Sequence, residues 1–334
     1  MKPTDLLQLI VARFKAGILR PVHIEGSPGM GKTEITEQAA KQLNVAFRVL
    51  DATLMQAEDC GLPIPNADRT SVNFIVPEGL FPLVGSDCPD TGILVIEELA
   101  GADNSVQKAL RNLVQARRIQ GRMVKPGWLI ITTGNRASDR AGAARLLSHM
   151  ANSLTRVTLE VSLEDWTQWA LTNSVKPEVI SFCRQFPELL SKFDANADAF
   201  PSPRSWVQGV SAALGVVPAH LEYAVYCGDV GEGAAATFTG YLRTFRSLTN
   251  PDVVLMHPDT AEVPKESSAR YAMISAMSFR TTKDNFGRVM KYISRFPEEF
   301  GLLFIRDTIV RCPSVQESTD FIAWASGPGA KLLL

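Results

Sequence analysis

Apolar residues recur every three to four positions in several parts of the chain, and this spacing predicts amphipathic helices. Leu6, Ile10 and Phe14 share one face of a helix predicted over residues 4–16, which Thr4 can cap. The same spacing predicts helices over residues 33–43 and 105–117. Short apolar or alternating stretches lie between these helices and predict the strands of a sheet: residues 21–25, 47–50, 93–96, 128–133 and 157–161.

This alternation of strands and helices predicts a three-layer α/β domain with a parallel sheet over residues 1–162. Within it, glycines and prolines interrupt two short apolar runs at 62–64 and 74–76, which predicts an inserted β-hairpin over about residues 58–78. After Ser162 the strand patterns stop, and short helices separated by prolines are predicted. The glycine-rich residues 227–233 predict a turn before a helix over 234–248.

The amino-acid composition limits the classes of protein to which this chain can belong. Apolar residues make up 46% and charged residues 21% of the 334, which is enough for a hydrophobic core. The net charge of -1 argues against binding nucleic acid through overall charge, and no apolar run approaches the ~20 residues of a membrane span. The five cysteines are scattered, without the spacing of zinc ligands or of a disulfide framework, which predicts reduced thiols and a cytoplasmic protein.

One motif carries specific chemistry: residues 26–33 match the pattern G-x-x-x-x-G-K-[ST] between a predicted strand and a predicted helix. In such a loop the glycines let backbone N–H groups wrap phosphates, Lys32 brings a positive charge to them, and Thr33 offers a hydroxyl to Mg²⁺. The motif therefore predicts nucleotide binding. The predicted binding residues are Gly26, Ser27, Pro28, Gly29, Met30, Gly31, Lys32, Thr33 and Glu34.

Two carboxylates follow the apolar run 93–96, at the strand end where parallel sheets collect ligands. Nucleotide hydrolysis needs an acidic strand end to hold the metal and orient the attacking water. We assign Glu97 to the Mg²⁺ shell and Glu98 to polarising the water. The usual first acid is aspartate, and Glu97 is one methylene longer.

With these two motifs the chain resembles the AAA+ superfamily of ATPases, and within it the MoxR-like family. Thr132-Thr133-Gly134-Asn135-Arg136 is similar to the sensor 1 segment, residues 77–82 to the segment after the helix 2 insertion, and Phe200-Pro201-Ser202-Pro203-Arg204-Ser205 to the sensor 2 segment. The resemblance implies that Asn135 contacts the γ-phosphate or its water. It also implies that Arg204 reaches a phosphate from the first turn of a helix that Ser202 caps.

The resemblance implies a P-loop ATPase with ATP and Mg²⁺ as cofactors, and the adenine base is taken from the resemblance alone. It implies a helical lid over residues 163–248 and a helical C-terminal region over 249–334. It further implies a hexameric ring of identical subunits. Such a ring would act as a chaperone-like remodeller or activator of a partner protein, which in this family often contains a von Willebrand factor A domain.

One residue departs from the family pattern. Relatives typically carry an arginine before the last strand that reaches the nucleotide of the neighbouring subunit, and Ser153 stands at that position here. Either another arginine takes the role, or stimulation between subunits is weak. We favour Arg145, with Arg140 and Arg156 as the alternatives.

Two other functions stay open at this point. Residues 104–126 contain six basic residues and no acidic one, as expected of a DNA-linked motor or loader. The neutral total charge favours a solvated face or contacts between subunits instead. The second alternative, a nucleotide-gated scaffold with little hydrolysis, rests on Glu97 and Ser153. The basic residues are Lys108, Arg111, Arg117, Arg118, Arg122 and Lys125.

Overall fold

The computed structural model describes residues 1–77, 79–136, 146 and 148–327, apart from the side chains of residues 148 and 149. The chain divides into two compact units. Unit 1 comprises Met1–Val161, and unit 2 begins at Ser162. Each unit has hydrophobic clusters of its own.

Unit 1 contains strands and helices in alternation. Its helices are α1 (Pro3–Lys15), α2 (Lys32–Leu43), α3 (Asn104–Ala116) and α4 (Ser148–Ala151). Its strands are β1 (Val22–Glu25), β2 (Ala46–Asp51), β3 (Leu62–Pro65), β4 (Val72–Ile75), β5 (Thr91–Glu97), β6 (Arg118–Ile119), β7 (Arg122–Met123), β8 (Gly127–Gly134) and β9 (Thr155–Thr158). One predicted cap is wrong: α1 begins at Pro3, so Lys2 and not Thr4 is its N-cap.

Five strands form one parallel sheet in the order β2-β5-β8-β1-β9. Successive residues of β5 point to opposite faces: Leu94 packs with α3 on one face, and Val95 packs with α1 and α2 on the other. These three layers confirm the predicted α/β fold of the P-loop NTPase class. Because all five strands run in the same direction, β1, β5 and β8 end at one edge of the sheet.

The predicted insertion is a hairpin of β3 and β4, and all eight of its strand residues are exposed. A second hairpin, β6 and β7, was not predicted; Gln120 and Gly121 form its turn with φ of 45° and 80°. The base of the β3–β4 hairpin contacts the turn of the β6–β7 hairpin. A Cβ atom added to Gly61, just before β3, would lie 2.4 Å from Cγ of Gln120.

Unit 2 is helical, and its described part contains no strand. The helices are α5 (Leu163–Thr172), α6 (Pro177–Gln185), α7 (Glu222–Val230), α8 (Glu232–Arg246), α9 (Pro251–Met256), α10 (Ser267–Arg280), α11 (Phe286–Ile293), α12 (Glu298–Arg311) and α13 (Thr319–Ser326), with a π-helical turn at Ser205–Ser211. The turn predicted over 227–233 is wrong, because residues up to Val230 continue α7. The break is Gly231 alone, with φ of 78°.

Two aromatic clusters hold unit 2 together. Phe182, Trp206 and Phe238 lie with ring centroids 5.0 to 5.4 Å apart, and Phe286 contacts Phe304 and Phe321 in the other cluster. Helix α10 packs against both α6 and α12, so contacts cross the predicted boundary near residue 248. In the part of the chain that the structure describes, no helix has the length and apolar character needed to cross a membrane.

A buried ion pair links α6 to α12. Arg184 donates two hydrogen bonds to Asp307, with Nη2 to Oδ1 at 2.6 Å, and the two side chains are 7% and 1% exposed. We expect Arg184→Met to lower the free energy of unfolding of unit 2 by about 3 kcal/mol, because it leaves a buried carboxylate unpaired. Urea unfolding followed by tryptophan fluorescence measures this, since Trp166, Trp169, Trp206 and Trp324 all lie in unit 2.

The matched control is Arg306→Met. Arg306 pairs with Glu164 at 3.9 Å, and both side chains are more than half exposed, at 52% and 58%. Its removal should cost less than about 1 kcal/mol. Equal effects of the two substitutions would show that burial of the Arg184 pair does not matter.

Candidate functional site

The predicted phosphate loop connects β1 to α2 at the edge where the strands end. Gly29 and Gly31 have φ of 76° and 85°, in the left-handed region that glycine adopts without strain. Gly31 is the N-cap of α2, so the helix dipole points its positive end at the loop. Glu34 lies in the first turn of α2, where an acidic side chain favours that dipole.

The side chain of Lys32 is buried among the groups of this edge, with 8% of the residue exposed. Its Nζ donates to the carbonyl oxygens of Gly26 at 2.7 Å and Ser27 at 3.3 Å. It also donates to Oδ1 of Asn135 at 3.2 Å. The carboxylate of Glu98 lies 4.0 Å away. The ammonium group therefore contacts the phosphate loop and the end of β8, close to the acidic end of β5.

The two acidic residues differ in their surroundings. The carboxylate of Glu97 accepts a hydrogen bond from the hydroxyl of Thr33. Glu98 is a non-glycine residue in the left-handed region, with φ of 47°, and its N–H donates to Thr133 Oγ1 at 3.3 Å. Such a conformation is unfavourable for most residues and recurs at functional sites. The side chain of Glu98 is 32% exposed, so water can reach it.

These groups fit a Mg²⁺–nucleotide complex. A hydroxyl and a carboxylate lie side by side at Thr33 and Glu97, and hard oxygen ligands are those that Mg²⁺ prefers. Among the described residues, no group of three His, Cys, Asp or Glu side chains could hold a metal by itself. In nucleotide sites, phosphates and water supply most of the ligands of Mg²⁺.

Asn135 and Arg136 follow β8, which lies between β1 and β5 in the sheet. This position brings Asn135 to Lys32, as given above. The guanidinium of Arg136 reaches the residue that follows β9 and donates from Nη2 to the carbonyl oxygen of Leu159 at 2.6 Å. Sequence reasoning gave Arg136 no role, because its contact lies 23 residues further along the chain.

Contacts between polar side chains also connect β1 to its two neighbouring strands. His23 contacts Thr132 on β8, with Nδ1 and Oγ1 2.8 Å apart. Glu25, the last residue of β1, forms an ion pair with Arg156 on β9. Arg156 is therefore engaged within its own chain. The other two candidates for an arginine acting between subunits, Arg140 and Arg145, lie outside the described residues, and their roles stay predictions.

The sensor 2 segment belongs to unit 2. Ser202 Oγ accepts a hydrogen bond from the N–H of Ser205 at 3.1 Å, which is the predicted N-cap contact. Arg204 is exposed in the first turn of that helix and directly precedes the π-helical turn. Its contact with a phosphate stays a prediction.

The basic stretch 104–126 is divided between internal and exposed groups. Arg117 donates to the carbonyl oxygens of Lys125 and Trp128, and burial lowers its pKa. Lys125 donates to the carboxylate of Asp90 at 3.0 Å, and this hydrogen bond raises its pKa. These two side chains hold the base of β8. The exposed members are Lys108, Arg111, Arg118 and Arg122.

No family model and no curated protein matches the sequence. Among solved structures, a protein described as a candidate ATPase from Cytophaga hutchinsonii is 12% identical, with a TM-score of 0.36 over 92% of this chain and 79% of that one. The RuvB Holliday junction branch migration motor of Thermotoga maritima is 14% identical, with a TM-score of 0.39 over 88% and 86%. Similarity at this level carries no functional information.

The contact between Thr33 and Glu97 gives a prediction about the unusual glutamate. In Glu97→Asp the carboxylate is one methylene shorter and withdraws from the Thr33 hydroxyl. We expect the Mg²⁺ concentration for half-maximal nucleotide binding to rise roughly tenfold. Calorimetric titration of ATP at a series of Mg²⁺ concentrations measures this.

Glu37→Asp is the control. Glu37 lies on α2, the helix that carries Thr33; its side chain is 42% exposed and, among the described residues, pairs with Lys41 four residues later. It should leave the Mg²⁺ dependence unchanged. If Glu97→Asp also leaves it unchanged, Glu97 lies outside the metal shell.

Proposed function

We propose that this chain is a Mg²⁺-dependent ATPase. The observation that supports this most strongly is the position of Lys32 Nζ, within hydrogen-bond distance of both the phosphate loop and Asn135. The contact of Thr33 with Glu97 adds a metal-binding pair directly beside it. A loop for phosphates, a metal pair and an acidic residue open to water are the parts that nucleotide hydrolysis needs.

Each residue has a part in the proposed reaction. Lys32 binds the β- and γ-phosphate oxygens, and Thr33 and Glu97 hold Mg²⁺. When bound, the metal neutralises the charge that develops on the transferred phosphoryl group. Glu98 orients a water molecule and polarises it for attack on the γ-phosphorus. Asn135 donates to the γ-phosphate from the neighbouring strand end, and Arg204 contacts a phosphate, as the family resemblance implies.

We further propose that the ATPase works as a homo-oligomeric ring, a hexamer, that remodels or activates a partner protein in the cytoplasm. The resemblance to MoxR-like proteins supports this, including a partner with a von Willebrand factor A domain. The β3–β4 hairpin is the segment that would contact the partner. Leu62, Phe74 and Ile75 are 48%, 48% and 54% exposed there, and apolar groups on an isolated hairpin are typical of an interaction surface.

A DNA-linked motor is the second candidate. Its support is the group of exposed cations on α3 and the β6–β7 hairpin, namely Lys108, Arg111, Arg118 and Arg122. Two members of the basic stretch are used internally, which weakens this candidate. Turnover that rises with duplex DNA and loses that stimulation steeply as salt increases would favour it.

The first measurement is ATP turnover per protomer as a function of protein concentration, with Lys32→Ala as the blank. We expect turnover per protomer to rise with concentration and then reach a plateau, because neighbouring subunits complete the sites. An arginine supplied by a neighbour contributes about 10³-fold or more in related chemistry, so the rise should be large.

The other outcomes separate the alternatives. Turnover that is measurable but independent of concentration would mean that each site is self-contained and that the ring proposal is wrong. Turnover equal to the blank, with ATP still bound, would favour the nucleotide-gated scaffold. In that case Glu98→Gln would assemble with ATP in the same way as the wild type.

A further inference from the structure

The backbone of Leu159 is held on both sides at the edge of the sheet. Its N–H donates to the carbonyl oxygen of Glu25 at 2.7 Å, and its carbonyl oxygen accepts from Arg136 at 2.6 Å. Glu25 immediately precedes the phosphate loop, and Leu159 immediately follows β9. Leu159 also lies just before Val161, where unit 1 ends. The segment that leads out of unit 1 is thus hydrogen-bonded to the last residue of β1 and to Arg136, which follows β8.

The first residue of the phosphate loop lies within this arrangement. The N–H of Gly26 donates to the carbonyl oxygen of Gly134 at 3.2 Å. A Cβ atom added to Gly26 would be 3.4 Å from Cβ of Leu159, so the loop packs closely on the Leu159 segment. A displacement of the end of β8 or of the loop would therefore change the contacts of Leu159.

Arg136 is placed to carry such a displacement because it adjoins Asn135. Lys32 has three N–H donors, and Gly26 O, Ser27 O and Asn135 Oδ1 already occupy three acceptor positions around them. A phosphate oxygen bound by Lys32 must displace at least one of these acceptors. Gly26 O and Ser27 O, at 2.7 and 3.3 Å, are backbone groups of the loop, whereas Asn135 Oδ1, at 3.2 Å, belongs to a side chain outside it. Asn135 is therefore the acceptor that can be released without unfolding the loop.

Among the described residues, the guanidinium of Arg136 forms a hydrogen bond with Leu159 O through Nη2. Its Nε is buried and has no hydrogen-bond partner among the described residues. A buried donor without a partner costs free energy, which a shorter or neutral side chain would avoid. The hydrogen bond from Nη2 to the carbonyl oxygen of Leu159 is the favourable interaction that accompanies this cost.

We propose that Arg136 is a positioning residue of the ATPase that couples nucleotide contact at Lys32 and Asn135 to the Leu159 segment leading out of unit 1. This inference rests on the proposed function. Release of Asn135 from Lys32 shifts the adjacent Arg136, and the bond to Leu159 transmits the shift to the chain at the boundary. A ligand can move an equilibrium only through such a difference in contacts between two states.

Hydrogen exchange of the backbone amides of residues 155–161 tests the coupling in the full chain, with Mg²⁺ and the non-hydrolysable analogue AMP-PNP or without them. In the wild type the nucleotide should change the exchange rate of the Leu159 amide roughly tenfold, in the range of coupling between sites. In Arg136→Met the affinity for AMP-PNP should stay close to that of the wild type, while this change is lost. Arg136→Lys, which keeps the charge but not the forked donors, should recover part of it.

The control variant is Lys41→Met, which removes an exposed cation of unit 1 that forms an ion pair with Glu37. It should behave as the wild type in both measurements. A nucleotide-dependent change at Leu159 that persists in Arg136→Met would overturn the coupling, as would its absence from a wild type that binds AMP-PNP. Failure of the wild type to bind AMP-PNP any better than Lys32→Ala would instead overturn the proposed ATPase. If Arg136→Met does not fold, Arg136→Lys is compared with the wild type instead. Full retention of the nucleotide-dependent change at the Leu159 amide in Arg136→Lys would then overturn the proposal.

Discussion

The ammonium group of Lys32 is almost entirely shielded from solvent, and a charge in that position is unfavourable unless acceptors surround it. Those acceptors come from the phosphate loop, which follows β1, and from Asn135, which follows β8. The two strands must therefore lie side by side and end at the same edge. The order β2-β5-β8-β1-β9 satisfies this requirement and also brings the acidic end of β5 within reach. The strand order of unit 1 and the surroundings of Lys32 thus follow from the same requirement.

Much of this arrangement could be predicted from contiguous residues. The apolar run 93–96 is typical of a strand covered on both faces, and such a strand places the two glutamates after it at the carboxyl edge. The phosphate loop is recognisable from the pattern G-x-x-x-x-G-K-[ST], and its second glycine, Gly31, has the positive φ that glycine adopts without strain. The helix spacing of residues 33–43 and 105–117 gave α2 and α3 to within one residue. These elements depend on interactions between residues that are close in sequence, so the sequence alone predicts them.

The rest depends on contacts between residues that are distant in sequence. Arg156 reads as a candidate for another subunit until Glu25 is found beside it, across 131 positions of chain. The β6–β7 hairpin has strands of two residues each, too short for any periodicity. The error at residues 227–230 has a local cause: Gly228 suggested a turn, but it sits in α7 with open space around it, where glycine is tolerated. Positions of this kind can be assigned only once the neighbouring elements are known.

The packing of Gln120 over Gly61 has a consequence for how this protein can change over evolutionary time. The side chain of Gln120 occupies the volume that any larger residue at position 61 would need. A larger residue at position 61 therefore requires the Gln120 side chain to move or to become smaller, and it is strained in either case because Gly61 has φ of 149°. Strand β5 and helix α3 lie between the two hairpins in the sequence, yet the residue in the turn of one hairpin limits what can replace Gly61 in the other. Descendants of this chain should alter them together, or keep both as they are.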